Sequence, residues 1–374
     1  MKTLSLASWF RAVLVLALGG RTLGQGCHLG INSTVADCHD SNGNVTRVLL
    51  AQQAAMPAGG VKASSASEIP VTGPSIVSSA MCDEAGNIYV RPFDETDGLQ
   101  SLLAPVLKIA TAGNRAGTFP ISDAVPGGAR SRTFSVHDGR VYAMVGSSHG
   151  GLYVVQFEPD GSPKAPTKIE LEHPVDVFHF AVFKSGQYLL VGLTGQNLRT
   201  PYTAVFSADG RLVKEIYEPE DEEARMKADG GDARYAPCCT DSGNAFVMEK
   251  SDISAGSDGY VYLLHGSSPP LIYVISSAGE VVRKIRIELR NSDLTANSIK
   301  FHAGRVAVGF NWLGGVPKSM VKVVDAKGNS IANYEIEEHD GDSDPILACY
   351  SSEGFTLIPR RANAKLRVLK AKLP

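Results

Sequence analysis

Apolar residues occur along this chain in short runs, and many of these runs lie next to a glycine with Asp, Glu, Ser or Ala close before it. Runs such as LYVVQF (152–157), YTAVF (202–206), LIYVIS (271–276) and MVKVVD (320–325) are dense in Val, Ile, Tyr and Phe, which suit a pleated, half-buried surface. Their length predicts strands. The glycines predict hairpins, because tight reversals need positive φ and a neighbouring Asp or Ser can bond the local backbone. Helical spacing has one competitor, EPEDEEARMKA (218–228).

The strand-turn-strand pattern repeats. One series of turn glycines is Gly86, Gly139, Gly186, Gly259, Gly304 and Gly354, each before an aromatic or aliphatic strand. A second series, Gly113, Gly161, Gly210, Gly279 and Gly328, follows the first at separations of 27, 22, 24, 20 and 24 residues. Two series in step imply a unit of four strands with two glycine turns, and units of roughly 45 to 55 residues closing radially leave no long sheet edge unpaired. The expected fold is therefore all-β, a six-bladed β-propeller of four-stranded blades. The last blade, from ILACYSSEG through KLRVLKAKLP, reaches the carboxy terminus without an outer strand. A lone strand at 45–52 within DSNGNVTRVLLAQ is expected to complete it and close the ring. The domain plan is then a leader over 1–26, an amino-terminal segment over 27–75 with the closing strand and a polar connector, and the propeller over 76–374. The one sizeable insertion, at about 218–240, lengthens the second glycine series from about 49 to 69 residues and is expected to overhang a channel mouth.

Composition narrows the setting. With 43% hydrophobic residues and 36 basic against 39 acidic side chains, net charge -3, the chain can bury a core and offers no field for nucleic acid. The start, with Lys2, Arg11 and the apolar run Ala12 to Leu18, has the layout of a cleaved signal peptide and is too short to span a bilayer. A secreted or periplasmic protein is expected, with cleavage near Gly24 or Gly26. Lipidation of Cys27 is not expected, since Gly24 stands where an aliphatic residue is needed, and no transmembrane segment follows. Six cysteines in an exported chain allow disulfides. The candidates are Cys27, Cys38 and the vicinal Cys238 and Cys239, with a metal-ligand pair or buried apolar thiols as the alternatives for the vicinal pair. Cys82 and Cys349 occupy corresponding regions of the first and last repeats. No CxxC metal spacing, GxSxG, HExxH or P-loop is present.

The hairpin pieces AGNIYV (85–90), DGRVYAMV (138–145) and SAGEVVRKIRI (277–287) resemble those of six-bladed propellers grouped as NHL-repeat, TolB-like and gluconolactonase-like proteins, over about Ile76 to Pro374. The resemblance implies the fold and leaves function open, because this ring hosts binding modules, scaffolds and enzymes. Lactonases of this kind hold a divalent metal with a Glu, two Asn and an Asp from inner strands; Asp252 and Asn297 are two matches, and the Glu is not evident. Quinone-dependent sugar dehydrogenases carry long insertions, and this chain has one.

Inner strands line the channel, so residues seven before the first-series glycines are expected to form a ring: Ser79, Arg132, His179, Asp252, Asn297 and Leu347. The first five are the candidate ligand-binding residues, with Arg as a forked donor and His titrating near neutrality. A wetted channel wall with no ligand is the competing interpretation. Asp176 and Asp344, ten before their glycines, are candidate cation ligands nearer the mouth. The function expected is an exported binding module, a monomer, recognising a small molecule or protein at one channel mouth. The alternatives are a metal-dependent, lactonase-like hydrolase with a divalent cation such as calcium, and a non-catalytic envelope scaffold. No cofactor is otherwise evident, and Arg132 in the ring works against a cation.

Overall fold

The structure is a computed structural model that describes residues 26–29, 35–39, 45–49, 61–94, 103–147 (without 123, 126 and 128), 150–194, 200–216, 252–265, 269–289, 294–312, 318–337 and 345–373. Residues 1–25, the insertion, Cys238, Cys239 and Asp344 lie outside the described residues. The chain divides into two compact units, Met1–Pro57 and Ala58–Pro374. In the first, β1 (Gly26–Leu29), β2 (Val35–His39) and β3 (Val45–Leu49) form an antiparallel three-stranded sheet in which Cys27 and Cys38 are directly opposed Cα partners.

The second unit is built from repeated antiparallel sheets. The first comprises the carboxy-terminal part of β4 (Val61–Cys82), then β5 (Ile88–Asp94), β6 (Val106–Ile109) and β7 (Arg115–Phe119). The second is β8 (Ala129–His137), β9 (Arg140–Ser147), β10 (Leu152–Gln156) and β11 (Thr167–Ile169). The third is β12 (Val175–Val182), β13 (Tyr188–Thr194), β14 (Thr200–Phe206) and β15 (Leu212–Glu215). The fourth is β16 (Asp252–Ala255), β17 (Val261–His265), β18 (Leu271–Ile275) and β19 (Val281–Arg286). The fifth is β20 (Leu294–His302), β21 (Arg305–Trp312), β22 (Lys318–Asp325) and β23 (Ser330–Glu337). A last set, β24 (Ile346–Tyr350), β25 (Gly354–Ile358) and β26 (Arg361–Lys372), takes its fourth strand from elsewhere in the chain.

That strand is the first half of β4, which corrects the expectation of closure by 45–52. Ala63 to Pro70 runs antiparallel to Lys365–Ala371 of β26, while Val45–Leu49 pairs within the separate amino-terminal sheet. The segment VKASSASEIPVTGP reads as connector because its side chains are small and polar, yet an outermost strand needs only one sparse apolar face. Ala63 and Ile69 supply it and are buried, while Ser64, Glu68 and Pro70 are exposed. Pro70 donates no hydrogen bond and is tolerated at this edge. The propeller unit accordingly begins near residue 58 instead of 76.

The core lies between sheets. Each apolar cluster joins two consecutive sheets: Tyr89, Val106 and Phe119 meet Val141, Val155 and Phe157 between the first and second, and Val77, Val90 and Leu107 meet Ile346, Ala348 and Ile358 between the first and last. A sheet alone would leave both faces wet, so each is stable through its neighbours, at roughly 1.5–3 kcal/mol for each large apolar side chain buried.

The second-series turns account for close sheet-to-sheet packing. Gly210 has φ 88°, and a Cβ there would stand 1.9 Å from the carbonyl oxygen of Lys168 in β11 of the preceding sheet. Gly161 meets Thr118 of β7 in the same way, at 2.3 Å. Glycine is thus required both for its backbone conformation and for its missing side chain. Gly113 of the first sheet meets Ser67 of β4, so the ring-closing strand is docked by a turn glycine as β7, β11, β15 and β19 are.

Candidate functional site

The first strands of the sheets are the site's frame. β4 packs on β8, β8 on β12, β12 on β16, β16 on β20, β20 on β24, and β24 returns to β4, a closed cycle. Side-chain oxygens of one first strand accept backbone N–H groups of the next. Ser135 Oγ takes Val182 N–H at 3.3 Å, Ser254 Oγ takes Phe301 N–H at 3.2 Å, and Ser298 Oγ takes Leu347 N–H at 3.2 Å. Inner strands have no ladder partner on the axis side, and these bonds satisfy donors that would otherwise be buried bare.

The common offset before each glycine does not select one layer of side chains, because most first strands carry a β-bulge at that point. The register shifts between Val77 and Ala80, Arg130 and Thr133, Val177 and His179, Ala296 and Ser298, and Leu347 and Cys349. Ser79, Arg132 and Asn297 therefore lie within bulges, His179 follows one, and Leu347 precedes one and is fully buried in the apolar core. A bulge adds one residue and re-aims its neighbours, and no residue type announces it in the sequence.

Two of the expected residues, His179 on β12 and Asp252 on β16, interact, and a third, Asn297, lies on the adjoining β20. Asp252 opens β16; its Oδ2 accepts the Ile299 N–H at 2.8 Å and lies 3.3 Å from Lys300 Nζ. Lys300 is a buried cation that the offset rule passes over, although a lysine between Ile299 and Phe301 in the strand SIKF is its visible trace. His179 on β12 feels both charges. Burial holds its pKa below the ordinary value, Asp252 pulls it up and Lys300 pushes it down. Asn297 Oδ1 accepts a hydrogen bond from Ser298 Oγ at 2.7 Å, whereas its Nδ2 is buried with no partner among the described residues. Gly309 on β21 makes room for this pair, since a Cβ would stand 2.4 Å from Ser298 Oγ. The patch thus holds a neutralised ion pair and an imidazole that resists protonation.

No family model and no curated protein matches the chain. Solved structures do, at low identity. A protein of unknown function from Dyadobacter fermentans DSM 18053 aligns over 85% of this chain and 100% of its own, with TM-score 0.50 and 11% identity. A streptogramin B lyase covers 93% of this chain and 90% of its own at 12% identity and TM-score 0.43. The PQQ-bound aldose sugar dehydrogenase from Streptomyces coelicolor covers 82% and 97% at 11% identity and TM-score 0.44. The chain is a β-propeller, and likenesses this distant speak to fold alone.

Ser79 has a buried hydroxyl with no partner among the described residues. Arg132 is placed by its backbone on β8, and its side chain lies outside the described residues. Asp176 lies on β12 opposite Leu193, half-buried and engaged in other interactions. Among the described residues, no three His, Cys, Asp or Glu side chains gather as a metal cluster, and no helix is long and apolar enough to cross a membrane.

Proposed function

We propose that this protein is an exported binding module that takes a polar ligand or a partner segment at one mouth of the ring, next to the His179–Asp252–Lys300 patch. The observation that carries this reading is the state of Asp252. Its carboxylate is already bonded to the next strand and faces an ammonium group, so its charge is cancelled inside the wall. Lys300 Nζ stands where a divalent cation bound to that oxygen would be repelled, as Arg132 was expected to act. A wall holding both donors and acceptors without net charge suits an uncharged polar ligand, whose hydroxyl or amide groups can pair with either. Asn297 Nδ2 is a donor in need of such a group.

The experiment is hydrogen exchange on the full chain with a panel of neutral oligosaccharides and peptides, scored first by thermal shift. A ligand that stabilises the protein is expected to protect β12, β16 and β20 and to lose affinity in Asn297→Ala. Protection confined to outer strands, or metal-dependent turnover of lactones or esters that is lost in Asp252→Ala, would overturn the reading. The second outcome would install the hydrolase, with Asp252, Asn297 and the acidic pair Asp176 and Asp344 as its first candidates for calcium.

A further inference from the structure

Cys82 ends β4 and Cys349 lies in β24, so the two belong to the first strands of the first and last sheets and stand 267 residues apart in sequence. The ring brings them together. β24 packs directly on β4, Cys349 belongs to the apolar cluster that joins those two sheets and Cys82 packs against the same cluster, and Cys82 is near enough to push the Cys349 thiol up in pKa. Both are free thiols in this structure. Cys349 is buried and Cys82 half-buried, so one thiol is open to reagents and the other waits behind it.

We propose that Cys82 and Cys349 form a disulfide site, a covalent clasp across the seam of the ring that is closed by a disulfide oxidant. This is independent of what the ring binds. The sequence argues for an exported chain, which meets such oxidants. The non-covalent seam is already a double one, since β4 supplies the last strand of one sheet and the first strand of the next. A bond here would tie the two sheets by their inner strands, at the opposite side of the sheet from the β4–β26 pairing.

With oxidised glutathione as oxidant the chemistry balances. The Cys82 thiolate attacks one glutathione sulfur, and a mixed disulfide and one free glutathione result. The Cys349 thiolate then attacks the Cys82 sulfur and expels the second glutathione. Two protein S–H bonds and one glutathione S–S bond are lost; one protein S–S bond and two glutathione S–H bonds are gained. The cysteines give up two electrons and glutathione disulfide takes them. Burial pushes the Cys349 thiol up in pKa, so the second step quickens as pH rises.

The test takes the full chain, reduced and then incubated with oxidised glutathione, and maps its disulfides by mass spectrometry of peptides. The expected result is a crosslinked peptide pair joining Cys82 to Cys349. A rise in melting temperature of up to about 10 °C, the chain-entropy limit for so long a loop, should accompany it and be absent in the Cys82→Ser, Cys349→Ser double variant. Both thiols remaining free to iodoacetamide after denaturation, or halting as glutathione adducts, would overturn the proposal. A crosslink with no change in melting temperature would overturn its role as a clasp. The crosslink is read on the natural chain, so the result stands even where the serine variant folds poorly.

Discussion

At the scale of single residues, two glycines in nearly the same backbone conformation separate strain from crowding. Gly210 and Gly259 have φ 88° and 90°, but a Cβ at Gly259 meets nothing within 4 Å whereas one at Gly210 collides with the Lys168 carbonyl of the neighbouring sheet. Gly259→Ala should cost about 1 kcal/mol, the backbone penalty alone, and Gly210→Ala about 3 kcal/mol or more. Urea unfolding of the two variants measures both, and equal losses would contradict turn docking as the reason for the second glycine series. His179 gives a pH test. Its folded pKa is depressed by burial, so the unfolded chain binds its proton more readily, and the stability it contributes is complete above the unfolded pKa near 6.5 and is lost as pH falls below it. Melting temperature should drop between about pH 7 and about pH 5, with a shallower drop in His179→Gln. Identical profiles for the two proteins would place His179 outside the buried patch.

At the scale of elements, β4 is the unusual strand, because it serves two sheets. Ile69 is the largest buried side chain of its first half, 3% exposed against Leu366 and Val368 of β26. Ile69→Ala should cost about 2–4 kcal/mol and raise amide exchange along β26 before the other outer strands. Exchange that rises uniformly would mean that the seam is not a separate weak point. The strand also marks the limit of what the sequence discloses. The repeating hairpins are legible because Gly86, Gly186 or Gly279 answer a backbone need that few other residues meet. The closing strand is illegible because Ser64, Ser67 and Glu68 carry no apolar signature, and the pairing that makes them a strand is supplied by β26. Position 45–52 looks the better strand by composition, yet Val45–Leu49 pairs locally with β2. The candidate site was half visible for a related reason. His179, Asp252 and Asn297 are polar residues in first strands and stand out, whereas the bulges beside His179 and Asn297 and the lysine that neutralises Asp252 depend on neighbouring strands.

At the scale of the whole molecule, each sheet of the second unit hides its faces on the next, the first strands pack in a closed cycle with serine-to-backbone bonds at three of its contacts, and the seam uses a strand borrowed from the start of the unit. Such a ring gives a rigid mouth on which loops can vary, and that suits recognition as readily as catalysis. What decides between them is whether the polar wall holds a cation or holds itself together through Asp252 and Lys300. Thermal unfolding of the purified protein in chelator, and again with calcium, magnesium, manganese or zinc restored, asks this directly. A metal present at a hundred times its Kd would add about 2.7 kcal/mol of stability. The same melting temperature is expected under all these conditions, with Asp252→Ala less stable in each of them because Lys300 is left buried and unpaired. A rise specific to one metal that disappears in Asp252→Ala would contradict it.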